Sequence, residues 1–215
     1  AGTLLRIWVT KPEPKPKKGK SKKEAIIYDG TPTPTGKTVP DNKLGLKPVR
    51  QNAKSVGAPN KGKISNSVQL PDNPKLYTLR EPDQTHGSTF AVELVQLAIA
   101  RWRANYDYKG ELHIGDMSRK GGGRLRPHKS HRSGRDIDIR LPVKKKGGSS
   151  GDMGDVDWDA TWALLHEFIK AGEVEYIFLS TSRQKQLRAA AVRAGVGKKA
   201  LAEFIQYKSG QKRPL

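Results

Sequence analysis

The stretch HKSHRSGRDIDIR, residues 128–140, holds the side chains of this chain that are best suited to chemistry. Proteins bind zinc through imidazole nitrogens and carboxylate oxygens that converge at about 2.0–2.2 Å from the ion. His131 and Asp138 are seven residues apart, and Gly134 between them lets the chain turn back sharply. His128 is a candidate for a further ligand or for a group that orients one. This spacing is compatible with a metal site.

The residue types and their spacing are also compatible with two other interpretations of this region. A basic loop with two histidines is also typical of a solvated surface turn. A phosphate-binding loop is the second alternative, built from GGGR at 121–124 with Arg126, Lys129 and Arg132. Neither GK[ST] nor GxGxxG follows a strand here, however, so the motif that such a loop normally carries is absent.

The elements around the two candidate ligands would hold them in place. Strict alternation in GRDIDIRL predicts a strand, with Ile137 and Ile139 on one face and Asp136, Asp138 and Arg140 on the other. A rigid strand carrying one ligand and a tight loop carrying the other would preorganise a metal site.

The remaining patterns predict an α+β fold. Apolar residues at three-and-four spacing predict helices over 89–105 and from about Asp157, and a basic helix covers 184–194. Further strands are predicted at 111–117 and 174–180, and LAEFIQY near the end predicts one more packed element. Because strands and helices mix without a βαβ rhythm, we expect a mainly antiparallel sheet packed with helices.

Residues 1–50 are predicted to be a disordered basic tether that precedes a domain at 51–215. This segment holds 12 Lys+Arg against 4 Asp+Glu and 7 of the 14 prolines. Such a composition has too few apolar groups to offset the entropy of ordering. Residues 2–9 are read as a stray strand, or as the end of a LysM-like glycan-binding repeat, which they weakly resemble.

The overall composition favours a polyanionic partner. The chain has 215 residues, a net charge of +20 and a pI of about 10.2. This balance suits nucleic acid, an anionic envelope polymer or an acidic membrane surface, without choosing among them. The absence of cysteine excludes disulfides and thiolate metal sites. No apolar run approaches the roughly 18 to 20 residues that span a bilayer.

A longer stretch, GDMSRKGGGRLRPHKSHRSGRDIDIRLP at 115–142, resembles the core of the penicillin-insensitive murein endopeptidases. These belong to the zinc peptidase group that includes D-Ala-D-Ala dipeptidases, lysostaphin-type enzymes and hedgehog-like proteins. The group signature Ser-x-His-x-x-Gly-x-x-x-Asp is matched by Ser130 or its neighbourhood, His131, Gly134 and Asp138. SVGAPNKGKISNSVQLP at 55–71 and VDWDATWALL…VEYIFLSTSRQKQL at 156–187 extend the resemblance.

The resemblance implies a periplasmic or secreted zinc hydrolase that cleaves the D-alanyl–diaminopimelate peptide cross-link of peptidoglycan. His131 and Asp138 would then be zinc ligands. His128 lies where some members place a ligand to an additional metal. Asp152 would be a polar neighbour of that second site. The resemblance thus implies one Zn²⁺ ion, or two if the second site is present. The candidate substrate-binding residues are Arg124 and Ser130.

The chain departs from the family pattern in one respect. The family's third zinc ligand comes from a His-x-His near the end of the domain, whose first histidine is the usual candidate for acid/base catalysis. The five histidines here, at 86, 113, 128, 131 and 166, include no such pair. His166 is interpreted as a helix histidine, and His86 and His113 as structural or surface groups. We therefore expect the domain to be truncated at its C-terminus, with the catalytic residues beyond Leu215.

Two alternatives to the zinc endopeptidase remain. One is a murein-binding relative that keeps the fold with an incomplete zinc site and no catalysis. The other is a nucleic-acid-binding protein, which rests on charge alone, because only Trp8 and Tyr28 supply aromatic rings in the basic segment. Binding to nucleic acid is therefore expected to be non-specific.

Overall fold

The computed structural model describes residues 4–9, 43–171, 174–197 and 200–201. Its helices are α1 (Thr89–Tyr106), α2 (Trp158–Lys170) and α3 (Thr181–Arg193). Its strands are β1 (Leu4–Val9), β2 (Lys54–Ala58), β3 (Lys61–Ser65), β4 (Val68–Gln69), β5 (Thr78–Leu79), β6 (His86–Gly87), β7 (His113–Ile114), β8 (Asp136–Arg140) and β9 (Val174–Phe178).

A five-stranded sheet in the order β5-β7-β8-β1-β9 forms the centre of the molecule. Its neighbouring strands run antiparallel except for β5 and β7, which are parallel. The predicted α+β fold with a mainly antiparallel sheet is confirmed. No described helix is long and apolar enough to cross a membrane.

Strand β1 lies inside this sheet, between β8 and β9. The structure therefore differs from the expected division at residue 50, because Leu4–Val9 belong to the same sheet as the candidate site. The physical reason is that Leu5, Ile7 and Val9 alternate along the strand and are fully buried in the core. Residues 10–42 of the expected tether lie outside the described residues.

The two faces of the sheet differ in chemistry. Cross-strand pairs Leu5↔Ile139 and Ile7↔Ile137 put apolar side chains on one face, which joins a single core with the side chains of α1 and α2. Arg6 pairs with Asp138 in the same ladder and therefore lies on the opposite face. The alternation predicted for residues 136–141 is confirmed, and it directs the carboxylates away from the core.

Short polar residues begin the two core helices. The Ser88 hydroxyl accepts a hydrogen bond from the Ala91 amide at the start of α1, and Asp157 accepts one from Ala160 at the start of α2. Trp102 in α1 donates its indole N–H to the Ala160 carbonyl at 3.0 Å, which joins the helices. The predicted helices at 89–105, after Asp157 and at 184–194 therefore match α1, α2 and most of α3.

The hairpin β2–β3 supports the loop that carries the candidate histidines. Ser55 donates its hydroxyl to the Ser133 carbonyl at 2.6 Å, and the Arg132 amide donates to the Pro59 carbonyl at 3.0 Å. The loop is thus held by another part of the chain as well as by β8. Of the packed element predicted at LAEFIQY, only its first residue, the buried Leu201, lies within the described residues.

Candidate metal centre

His128, His131 and Asp138 come together as one group, and each offers a ligand atom within 4.8 Å of the others. Asp138 is on β8, and the two histidines are on the loop that precedes this strand. His131 and Asp138 are fully buried, whereas the His128 side chain is 21% exposed. This is the one group of its kind among the residues that the structure describes.

The backbone around His131 is bent back toward β8. His131 has a φ of 60° and Gly134 a φ of 62°, both in the left-handed region. The His131 amide donates to Asp136 Oδ2 at 2.7 Å, and Ser118 donates its hydroxyl to the His131 carbonyl at 2.8 Å. A Cβ on Gly134 would lie 2.6 Å from the Gly87 Cα, so only glycine fits here. The sharp bend expected at Gly134 is therefore present.

The two ring nitrogens of His131 have different neighbours. Its Nδ1 lies 3.2 Å from the Met117 carbonyl oxygen and 3.1 Å from Asp136 Oδ2. Its Nε2 is buried and lies 3.3 Å from Asp138 Oδ2. A proton on Nδ1 satisfies the acceptors and leaves the Nε2 lone pair directed at the group. This is the arrangement that metal-binding histidines normally show.

Asp138 is held by Arg6 from β1. Arg6 Nε donates to Asp138 Oδ1 at 2.6 Å, and Arg6 Nη2 donates to Asp138 Oδ2 at 3.0 Å. Burial alone would raise the pKa of Asp138, but nearby His131 and the two bonds from Arg6 outweigh it and lower the pKa. The buried carboxylate is therefore held ionised, as a metal ligand must be.

The same carboxylates favour positive charge at His131. Burial alone would lower the pKa of His131, but Asp138 and Asp136 outweigh burial and raise it. Asp136 is itself fully buried, and that burial raises its pKa although His131 opposes the shift. A buried position that favours a cationic imidazole also favours a metal cation beside a neutral one.

His128 has its own acidic neighbour. Its Nε2 lies 2.8 Å from Asp116 Oδ2, and its ring meets the His131 ring edge to face with centroids 4.8 Å apart. Asp116 therefore fixes the His128 ring against the group, as Asp136 fixes His131. Neither carboxylate was a candidate from the sequence, although Asp136 lies on the polar face that the alternation identified.

Three other predicted site residues are not part of this group. Asp152 is exposed, and its Oδ1 accepts a hydrogen bond from the Gly154 amide at 2.8 Å. Arg124 is also exposed. Ser130 is 3% exposed, which favours a role in packing the loop over contact with a substrate. The sequence interpretation also missed Arg6, because the contact it makes joins residues 132 positions apart.

The donor set fits a zinc ion. Two imidazoles and one carboxylate are typical zinc ligands, and catalytic zinc sites commonly use three protein ligands, which leaves a position for water or substrate. His131 Nε2 can serve as a ligand atom, because Nδ1 already faces the Met117 carbonyl and Asp136 while Nε2 faces Asp138 Oδ2 at 3.3 Å. Within this group, His128 would supply the third donor beside His131 and Asp138.

Comparison with known proteins identifies the family. A family model for penicillin-insensitive murein endopeptidases matches residues 55–196, which is more than half of the 215 residues and contains all three members of the group. No curated protein matches the chain. The matched family consists of peptidases that act on murein, the peptidoglycan of the cell wall. The chain belongs to the penicillin-insensitive murein endopeptidase family.

Proposed function

We propose that this chain is a zinc-dependent endopeptidase of the D-alanyl–diaminopimelate cross-link in peptidoglycan, with His128, His131 and Asp138 holding the ion. The observation that carries the proposal is the convergence of three ligand atoms within 4.8 Å of one another, two of them on the fully buried His131 and Asp138. The net charge of +20 suits an anionic wall polymer. A periplasmic or secreted location follows from that substrate.

The residues around the group have separate tasks in this proposal. Asp136 and the Met117 carbonyl orient His131 so that its Nε2 lone pair faces the ion. Arg6 keeps Asp138 ionised and fixes its carboxylate plane, and Asp116 holds the His128 ring. When bound, zinc supplies Lewis-acid chemistry, polarising a carbonyl and acidifying a water. Because these side chains are fixed before substrate arrives, little reorganisation is needed during the reaction.

A digest of cross-linked sacculi tests the proposal. The purified chain is incubated with added zinc and separately with a chelator, and muropeptides are read by mass spectrometry. We expect conversion of cross-linked dimers to monomers with zinc and none with the chelator. Asp138→Asn should abolish conversion, whereas Asp152→Asn makes the same chemical change at an exposed position outside the group and should leave it intact. Conversion that is unaffected by chelator would contradict a zinc mechanism.

One observation favours a second candidate function, that of a murein-binding relative without catalysis. Arg6 satisfies both oxygens of Asp138, so the carboxylate is stable without any metal. A chain of this kind would bind sacculi equally well with zinc and with chelator and would release no monomers. The same digest, combined with a pull-down on sacculi, separates the two functions.

A further inference from the structure

A cleft of about 1050 Å³, here called the basic cleft, lies beside the end of β8. It is lined by residues of the turn at 106–113, by residues of the segment 140–150, and by Arg80 and Asp157. None of the three proposed metal ligands lines it. The cleft is large enough for part of a peptide, because small-molecule sites commonly occupy about 300–1,000 Å³.

Strand β8 connects the basic cleft to the metal centre. Arg140 lines the cleft and lies two residues beyond Asp138 on the same strand, so both side chains project from one face. At about 3.4 Å of rise per residue, their Cα atoms are roughly 7 Å apart. Ile114 pairs with Ile139 across the ladder, which puts His113, another lining residue, on this same polar face. The part of the cleft lined by Arg140 and His113 therefore shares a face of the sheet with Asp138.

The charges of the basic cleft are unbalanced. Six basic residues line it against three acidic ones. Each acidic residue already has a partner: Asp107 pairs with Lys109, Glu111 lies 3.5 Å from His113, and Asp157 caps α2. Among the described residues, no carboxylate pairs with the half-buried Arg140 or with Arg80. The cleft thus keeps positive charge for an outside partner.

The wall of the basic cleft is held in place by the rest of the molecule. The Tyr108 hydroxyl donates to the Val143 carbonyl and accepts from the Val143 amide, both at 3.0 Å. Arg183 of α3 donates to the Ser150 carbonyl at 3.0 Å and also to the Gly151 carbonyl. A cleft supported in this way is preformed, so a ligand would bind with little loss of loop entropy.

We propose that the basic cleft is a carboxylate-binding subsite, in which Arg140, assisted by Arg80, holds a free carboxylate of the peptide cleaved at the metal centre. This inference rests on the proposed function. Planar guanidinium groups match carboxylates through paired hydrogen bonds. The diaminopimelate residue of the cross-link carries a carboxylate on the carbon bearing the acylated nitrogen, only a few bonds from the scissile carbonyl. The short separation of Asp138 and Arg140 suits that geometry.

Binding of a fluorescently labelled cross-linked muropeptide dimer, measured with chelator present so that no cleavage occurs, tests the subsite. The same dimer with its carboxyl groups converted to amides is the second probe. We expect Arg140→Gln to weaken binding of the unmodified dimer by about tenfold or more, because it removes charge-assisted hydrogen bonds. Amidation should weaken binding to the wild-type chain by a similar factor and should have little further effect on Arg140→Gln. Lys54→Gln, with the same loss of charge on the exposed β2, is the control.

The outcomes separate the subsite from the proposed function. If Arg140→Gln weakens binding of the amidated and unmodified dimers equally, that result would overturn the subsite. Two other results would also overturn it: Arg140→Gln binds the unmodified dimer as tightly as the wild type does, or the wild-type chain does not bind that dimer. A DNA oligonucleotide that loses as much affinity as the dimer would also overturn it, because the cleft would then be a general polyanion surface. If the wild-type chain with zinc cleaves no dimers but shows the expected amidation pattern, the proposed catalysis fails and the subsite stands.

Discussion

Two regions of the molecule bury a histidine, and the surroundings shift the two pKa values in opposite directions. His131 lies between Asp136 and Asp138, which raise its pKa against the effect of burial. His166 lies in α2 beside the Trp162 ring, where burial lowers its pKa and Lys170 lowers it further. Burial by itself therefore produces a neutral core histidine. A candidate metal ligand needs convergent carboxylates in addition, and at His131 the strand β8 provides them as Asp136 and Asp138.

The largest expected difference between the two histidines is the effect of their replacement on zinc binding. His131→Ala should lower zinc affinity by at least about 100-fold, because loss of mere supporting groups already costs 10- to 100-fold. His166→Gln should retain stoichiometric zinc. Zinc content after dialysis, measured by atomic absorption, checks both variants. Zinc retained by His131→Ala would place the metal elsewhere in the chain.

His128 sharpens the comparison, because it is the least buried member of the group. If His128 is a direct ligand, His128→Gln should lower zinc affinity by more than about 100-fold, whereas a supporting role should cost about 10- to 100-fold. A competition titration with a zinc-binding dye measures this difference. His86→Gln, at a half-buried position whose Nδ1 lies 3.1 Å from the Asp83 carbonyl oxygen, is a suitable control.

Arg6 contrasts with an exposed arginine that also pairs with a carboxylate. Arg6→Gln should lower the free energy of unfolding by about 2 kcal/mol in chelator, since it leaves Asp138 buried without its charge-assisted hydrogen bonds. Added zinc should recover part of the loss by neutralising Asp138. Arg193→Gln breaks the exposed pair with Asp159 and should cost at most about 1 kcal/mol. Urea unfolding of both variants measures the two losses, and equal values would contradict a special role for Arg6.

The smallest effect concerns His166 and pH. Its folded-state pKa lies below the ordinary value of 6.5, so the unfolded chain takes up the proton more readily. This histidine therefore costs no stability well above pH 6.5 and destabilises the fold as pH falls through that value. His166→Gln should be relatively more stable at pH 5.5 than at pH 8, compared with the wild type. Urea unfolding at both pH values checks the sign, and a constant difference between the proteins would contradict it.

The features that the sequence predicted correctly are the local ones. The alternation in DIDIR identifies β8 and separates Asp138 from the core, and apolar periodicity identifies α1 and α2. The spacing around Gly134 predicts that His131 and Asp138 meet. The glycine allows the chain to bend back between them, and this is a local property of the backbone. These signals need only a few neighbouring residues to be read.

The features that were missed depend on distant pairing. Arg6 contacts Asp138 across 132 residues, and nothing local says that β1 joins β8. The one available signal was Arg6 between the apolar Leu5 and Ile7, the same alternation as in β8. The basic cleft could not be predicted either, because its lining comes from several separate segments.

The central claim is that three residues of this chain hold one zinc ion. Crystals grown with zinc and measured at the zinc absorption edge would test it most directly. We expect one strong anomalous peak at about 2.0–2.2 Å from a ring nitrogen of His128, from His131 Nε2 and from an Asp138 oxygen. A peak bound elsewhere, or no peak with Arg6 still paired to Asp138, would contradict it.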